Sequence, residues 1–324
     1  MIKTLLTLRS PARRRARLSV LIFHRVLPQQ DPLFPQEIHA QTFEALCEWM
    51  KRWFNVLPLD QAARQLRDGS LPARAAAFSF DDGYADNHDV ALPILRRHGL
   101  PCTFFVSTGF IGGGRMWNDT IIESLRRTAR GRIALDDLVP GLGELPCHSL
   151  SERRAAIGRV IGAVKYLDPA RRLELVDELA RRAQVLPPTD LMMTPAKVRA
   201  LRAAGMQVGA HTISHPILAR LPAERARHEI EEGRRQLEQM IGEPVRLFAY
   251  PNGRPGEDYT PETVELVRQA GFDAAFSTAW GVASAQSDPM QLPRFTPWDR
   301  TPVRFALRML HNLRPRPPQA VQVA

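Results

Sequence analysis

The sequence predicts an α/β fold in which parallel strands are joined by helical crossovers. Three observations carry that prediction. Short apolar runs alternate with longer segments of helical periodicity along most of the chain, and such succession implies parallel pairing, because parallel neighbours cannot be joined by hairpins. The helical segments stop at Gly99, Gly205, Gly242 and Gly271, where a left-handed cap is expected. The apolar runs end on polar residues, His24, Asp81-Asp82, His211 and Asn252, so chemistry-bearing side chains collect at strand exits.

After a basic leader, residues 18–23 form the first buried strand. Pro28, Pro32 and Pro35 extend the next stretch, and residues 41–53 place Phe43, Leu46, Cys47 and Met50 at helical spacing. A short helix over 60–67 leads through Asp68-Gly69 to the strand Ala75–Phe80. Residues 87–98 form a helix kinked at Pro93, followed at once by a strand over 103–106. The alternation resumes with a helix at 195–204 and a strand at 206–210, a helix at 222–241 and a strand at Leu247, and a helix at 261–270 and a strand at Phe272.

Between them, residues 116 to about 194 read as an insertion of helices after the third strand (118–127, 151–164 and 169–183), with one strand-like piece at 133–138. The organisation is therefore a basic segment 1–17, a main domain 18–300 carrying the insertion, and a C-terminal helix with a disordered tail over 301–324.

At 324 residues there is ample material for a core. The three cysteines, Cys47, Cys102 and Cys147, are odd in number and set in apolar or helical surroundings, which makes them buried thiols. The net charge of +10 does not point to nucleic acid, because the arginines are not gathered into a patch interleaved with aromatics. They suit an anionic membrane surface better: residues 1–17 combine leucines with Lys3 and five arginines, and residues 303–310 are similarly amphipathic. No apolar run is long enough to cross a bilayer, and Leu5 to Leu8 is too short for a secretory core. The expected location is the cytoplasm, at most peripheral to a membrane.

Two motifs carry chemistry. In Phe78-Ser79-Phe80-Asp81-Asp82-Gly83-Tyr84 a strand ends on paired carboxylates followed by a glycine that can turn the chain. Two carboxylates that close do not both stay ionised without a cation or other partner. In His211-Thr212-Ile213-Ser214-His215-Pro216 the proline disfavours helix at His215, which puts both histidines on a loop, and the zinc-peptidase His-Glu-x-x-His pattern is absent. One carboxylate and two imidazoles with open positions suit a catalytic divalent metal such as zinc.

The two motifs, in this order and each after a strand, together with Phe248-Ala249-Tyr250-Pro251-Asn252-Gly253, resemble the three motifs of the polysaccharide deacetylase family, the NodB-homology domain. The resemblance spans about residues 18–300 and implies a distorted (β/α) barrel with its site at the carboxyl ends of the strands. It implies metal ligation by Asp82, His211 and His215, with zinc expected and cobalt or nickel as alternatives. It makes Asp81 the general base and gives the backbone N–H of Asn252 to the oxyanion pocket. Tyr84, Trp117, Tyr250, Pro251 and Arg294 are the expected substrate contacts, on a carbohydrate substrate.

Two departures stand out. Where many members carry an arginine that steadies the base, this chain has Ala249, with Arg246 or Arg294 as substitutes. The late leucine–histidine motif that supplies the general acid is replaced by Leu292-Pro293-Arg294-Phe295, which leaves His24 as the candidate acid. The implied activity is metal-dependent N-deacetylation of an acetamido-sugar glycan or precursor. A glycan-binding protein that has lost turnover, or an amidase acting on a small amide, are the alternatives.

Overall fold

The computed structural model describes residues 2–314 and 319–323. Its strands are β1 Ser19–Phe23, β2 Asn55–Val56, β3 Ala75–Phe80, β4 Cys102–Val106, β5 Arg132–Ala134, β6 Glu144–Pro146, β7 Gln207–Ala210, β8 Leu247–Ala249 and β9 Ala274–Phe276. The chain folds as two units, one comprising residues 1–29, 38–111 and 193–324, the other residues 30–37 and 112–192.

In the first unit the main sheet runs β1-β3-β4-β7-β8-β9, all pairs parallel, with β2 added to β3. It is a curled, barrel-like sheet wrapped by its crossover helices. The two-residue period of a strand divides its side chains between two cores. Leu21, Phe23, Phe78, Phe80, Phe104 and Phe248 pack outward under the helices, with the rings of Phe23 and Phe80 5.2 Å apart. Val20, Ala75, Ala77, Phe105, Leu247, Ala249 and Phe276 form the other cluster on the enclosed side.

Residues 291–295 join the two edges of the curl. Leu292 N–H donates to Ala275 and its carbonyl accepts from Ser277, while Phe295 exchanges hydrogen bonds with Val20 and Ile22 of β1 (2.8–3.0 Å). The stretch taken as a departure from the family pattern is thus the piece that closes the barrel.

The expected elements form with small shifts at their ends. The kink at Pro93 is realised as a π-helical turn, Asn87–Ala91, running into the α-helix Leu92–His98; the wider turn accommodates a ring that cannot donate an N–H. Gly99, Gly205, Gly242 and Gly271 all hold positive φ at the helix ends. Both ends of the chain take part in the fold. Ile2–Arg9 is helical and buries Leu6. Of the tail taken as disordered, residues 315–318 and 324 lie outside the described residues, but Val321 exchanges two hydrogen bonds with the Gln291 side chain (2.8 and 3.0 Å).

The second unit holds the helices Trp117–Arg127, Leu150–Val164 and Pro169–Ala183. They share a core that includes Ile121, Leu125, Ile157, Val160, Val176 and Leu179. The strand-like piece near 133 is one arm of an antiparallel hairpin, β5 with β6. Leu33 of the proline-rich loop joins this core, and Asp31 accepts a two-pronged bond from Arg126 (2.8 and 2.6 Å). All three cysteines are buried and unpaired. No described helix is long and apolar enough to cross a membrane.

Candidate active site

The inward phase of β3 passes through Ala75, Ala77 and Ser79 to Asp81, so the first aspartate continues into the enclosed side. Continued strand would aim Asp82 outward under the helices. Instead Asp82 takes φ +74 and Gly83 φ +96, and the turn re-aims the second carboxylate. A left-handed aspartate is uncommon, and Thr212 (φ +65), His215 (φ +53) and Asn252 (φ +58) share the feature. Backbone strain of this kind gathers where side chains must be placed for chemistry.

The exit of β4 binds the two motifs together. Ser107 N–H donates to the Asp82 carbonyl (3.2 Å), its Oγ donates to the His211 carbonyl (2.8 Å), and the N–H groups of Thr108 and Gly109 donate to Thr212 and Ile213. Gly109 is required there, since a Cβ would lie 2.8 Å from the Ile213 oxygen. From the other side, both carboxylate oxygens of Glu229 hold the loop between the histidines, accepting from Ile213 N–H, Ser214 N–H and Ser214 Oγ (2.9, 2.9 and 2.6 Å). Gly233, one helical turn further on, lets the helix Ala223–Ile241 approach Thr212 closely enough that a Cβ would sit 2.9 Å from its carbonyl carbon.

Held this way, Asp82 Oδ1 stands 3.5 Å from His211 Nε2 and 3.3 Å from His215 Nε2. Asp82 Oδ1 is buried and has no hydrogen-bond partner, an arrangement that is costly unless something else satisfies it. His211 Nδ1 donates to the Ala249 carbonyl (2.7 Å), which turns its Nε2 toward the carboxylate. Ligand atoms bonded at about 2.0–2.1 Å around a tetrahedral ion lie about 3.4 Å apart. Two of the donor separations are close to that value, all three ligand atoms lie within 4.8 Å of one another, and Asp82, His211 and His215 are the cluster that could hold a metal ion.

Burial works against ionisation of Asp82, but the adjoining His215 and His211 imidazoles, protonated at the acid pH where this carboxyl would titrate, outweigh it and hold it well below the usual range. Burial also disfavours a charge on Asp81; the Arg294 guanidinium and then His211 more than offset it, so that carboxyl too is depressed. For His215 desolvation dominates and brings the imidazole down to about 4, leaving it neutral at pH 7 with a lone pair to offer.

Arg294 is fully buried. It forms a fork on Asp81, Nη1 to Oδ1 at 2.7 Å and Nη2 to Oδ2 at 2.8 Å, and also donates to Ser79 Oγ (3.2 Å) and the Ser277 carbonyl (3.1 Å). The expectation of a substrate contact at Arg294 meets burial: its donors face protein, with the fork closed on Asp81. Arg246, the other candidate, is exposed and paired with Asp273.

Three further substrate assignments meet burial. Tyr250 is inaccessible, stacked on Tyr259 at 4.1 Å with its hydroxyl donating to the Met290 carbonyl (2.9 Å). Tyr84 is buried beneath the Arg25 guanidinium, 4.7 Å from its ring centre. Pro251, next to Tyr250 in sequence, is buried as well, and its carbonyl accepts from Gly253 N–H (2.6 Å). Trp117 belongs to the second unit, where the Arg172 guanidinium lies over its ring at 4.6 Å; it is a packing anchor there.

Asn252 is half exposed, and its carbonyl accepts from Thr278 Oγ1 (2.6 Å). His24 is exposed at the end of β1, and its carbonyl accepts from Asn87 Nδ2 (2.9 Å). Sequence reasoning missed Ser107 and Glu229. Neither belongs to a motif, and Glu229 is one of several acids on a charged helix, so nothing local distinguishes it.

Fold and site together define the class: a (β/α)-barrel hydrolase of the NodB-homology type. The polysaccharide deacetylase family profile matches residues 68–137 and 156–275. The chain belongs to that family, whose members hydrolyse N-acetyl amide bonds of glycans. It is 20% identical over 281 residues to YxkH of Bacillus subtilis, a protein named as a polysaccharide deacetylase, covering 86% of this chain and 71% of the relative. Among solved structures it resembles the Streptococcus pyogenes deacetylase PplD in complex with acetate (TM-score 0.60, 17% identity, 93% of this chain and 99% of that one). It also resembles IcaB from Ammonifex degensii (TM-score 0.60, 20% identity, 90% and 97%). At these identities the structural likeness speaks for the fold.

Proposed function

We propose that this chain removes N-acetyl groups from an acetamido-sugar glycan or glycan precursor with the help of a divalent cation held by Asp82, His211 and His215. The observation that carries the reading is the orphaned Asp82 Oδ1 facing two imidazole nitrogens, next to a second aspartate neutralised by its own arginine. When bound there, zinc or a similar ion would make a water acidic and draw charge from the amide carbonyl.

The protein's own groups do the rest. Asp81, kept ionised and oriented by Arg294, takes a proton from the attacking water. The Asn252 N–H, for which no acceptor exists among the described residues, is available to the carbonyl oxygen as negative charge grows on it. His24, exposed at the site, hands a proton to the departing amine. The amide carbon–nitrogen bond breaks, and acetate and a free amino sugar leave.

The Arg294–Asp81 pair favours turnover over a binding-only protein, since it supplies what Ala249 lacks. In a cytoplasmic, membrane-peripheral setting the substrate would be a precursor or lipid-linked intermediate. The test is acetate release from N-acetylglucosamine oligomers, blocked by a chelator and restored by zinc, cobalt or nickel. Asp82→Asn should lose metal binding, Asp81→Asn should retain it without turnover, and His24→Ala should lower the rate by about 100-fold or more. Equal metal loss in both aspartate variants refutes the division of roles.

A further inference from the structure

All of the chain's net charge lies at its two ends. Residues 1–17 and 296–324 carry eleven basic side chains and one acidic one, Asp299, which accounts for the whole +10; the stretch between them is balanced. Within the first unit the ends meet. The helix Ile2–Arg9 packs on the helix Pro302–Asn312, and the Arg17 guanidinium donates to the Leu313 carbonyl. The inner face of the second helix is anchored by Phe305, stacked on Trp53 at 6.1 Å, and by Met309.

The outer faces are not covered. Among the described residues of this unit, every large apolar side chain that stands exposed is on these two segments: Leu5, Leu8, Trp298, Val303 and Leu307, from 43% exposed at Leu5 to 74% at Leu8. Leu5, Leu8, Leu307 and Leu310 line one groove of about 780 Å³ together with Arg9, Arg304, Arg308 and Arg314. Val303 and Leu307 lie one turn apart with Arg304 beside them, so apolar side chains project between cations. Asp299, the lone acid, is paired with Arg308.

We infer that this paired-helix face docks on an anionic phospholipid surface. Leucines ringed by arginines on a shallow helical platform match the acyl–headgroup boundary, where the leucines enter hydrocarbon and the guanidiniums meet phosphates. Nucleic acid offers phosphates but nothing for five exposed apolar side chains to enter. The platform also borders the amino end of β3: Arg74 N–H donates to Ser10 and its guanidinium to Thr7, and Arg13 N–H donates to Leu71. The catalytic cluster lies at the carboxyl ends of the strands, so docking leaves it open.

The experiment is flotation of the full chain with phosphatidylglycerol-containing vesicles and with pure phosphatidylcholine vesicles. The expected result is binding to the anionic vesicles alone, weakened by salt. Leu8→Glu/Leu307→Glu and Arg9→Glu/Arg304→Glu should each lower vesicle affinity by at least about tenfold. Both should keep native circular dichroism and wild-type acetate release from soluble oligomers. No binding to anionic vesicles, equal binding to neutral ones, variants that float like wild type, or binding to DNA without binding to vesicles overturns the inference. Flotation reads out whether or not the chain proves active on the oligomers, so the two readings fail separately.

Discussion

Arg294 and Asp81, 213 residues apart in the chain, form a two-pronged ion pair inside the barrel, with both side chains at most 3% exposed. Removing one partner of such a pair leaves the other charge buried and uncompensated, at a cost of about 3–5 kcal/mol. Arg294→Met should lower unfolding stability by about that amount and abolish acetate release. Arg294→Lys keeps the charge but not the fork, and should fall between. Urea titrations of both variants check this; a Met variant as stable as wild type would remove the pair from the structural argument.

Glu229 touches no expected ligand, yet it holds the backbone between His211 and His215 through three bonds. Partners that orient ligands typically change metal affinity by about 10–100-fold. Glu229→Gln should therefore weaken zinc binding within that range while the fold persists, as read by calorimetric titration. Unchanged affinity would mean the loop is fixed by Ser107, Thr108 and Gly109 alone.

A methyl group at Gly233 would press on the Thr212 carbonyl carbon at 2.9 Å. Gly233→Ala should cost about 1–3 kcal/mol through displaced helix packing, against the small gain alanine usually brings to a helix. Denaturant midpoints decide the sign.

In the second unit Asp31 is depressed, first by its bonds to Arg126, which outweigh the effect of burial. A carboxyl whose folded pKa lies below its unfolded value of about 3.9 adds stability above that pH and loses it as pH falls through the folded value. Asp31→Asn should be less stable than wild type at neutral pH and should show a smaller further loss below about pH 4. Hydrogen exchange in the helix Trp117–Arg127 across that range measures both.

The strand exits were legible because each apolar run stops abruptly at a charged or polar pair, and a two-residue period fixes which face continues. In the structure that period carries Asp81 on to the enclosed side of the sheet. The pattern could not foresee that Asp82 turns left-handed, since a glycine one residue later already offered a way to turn. Arg294 was visible as a candidate, but its partner depends on closure of the barrel, a contact between segments with no shared pattern. Tyr250 misled for a related reason: an aromatic next to a motif loop reads as a sugar platform, whereas its hydroxyl finds Met290 across forty residues. The hairpin partner β6 and the helical leader were missed because three strand residues and eight helical ones carry little periodicity.

The closure by residues 291–295 sets an order of assembly. Synthesis delivers both aspartates and both histidines well before the one guanidinium that Asp81 needs, and that guanidinium arrives on the segment zipping β9 to β1. A nascent chain halted short of Arg294 therefore holds both aspartates and both histidines while the Asp81 carboxylate still lacks its guanidinium partner.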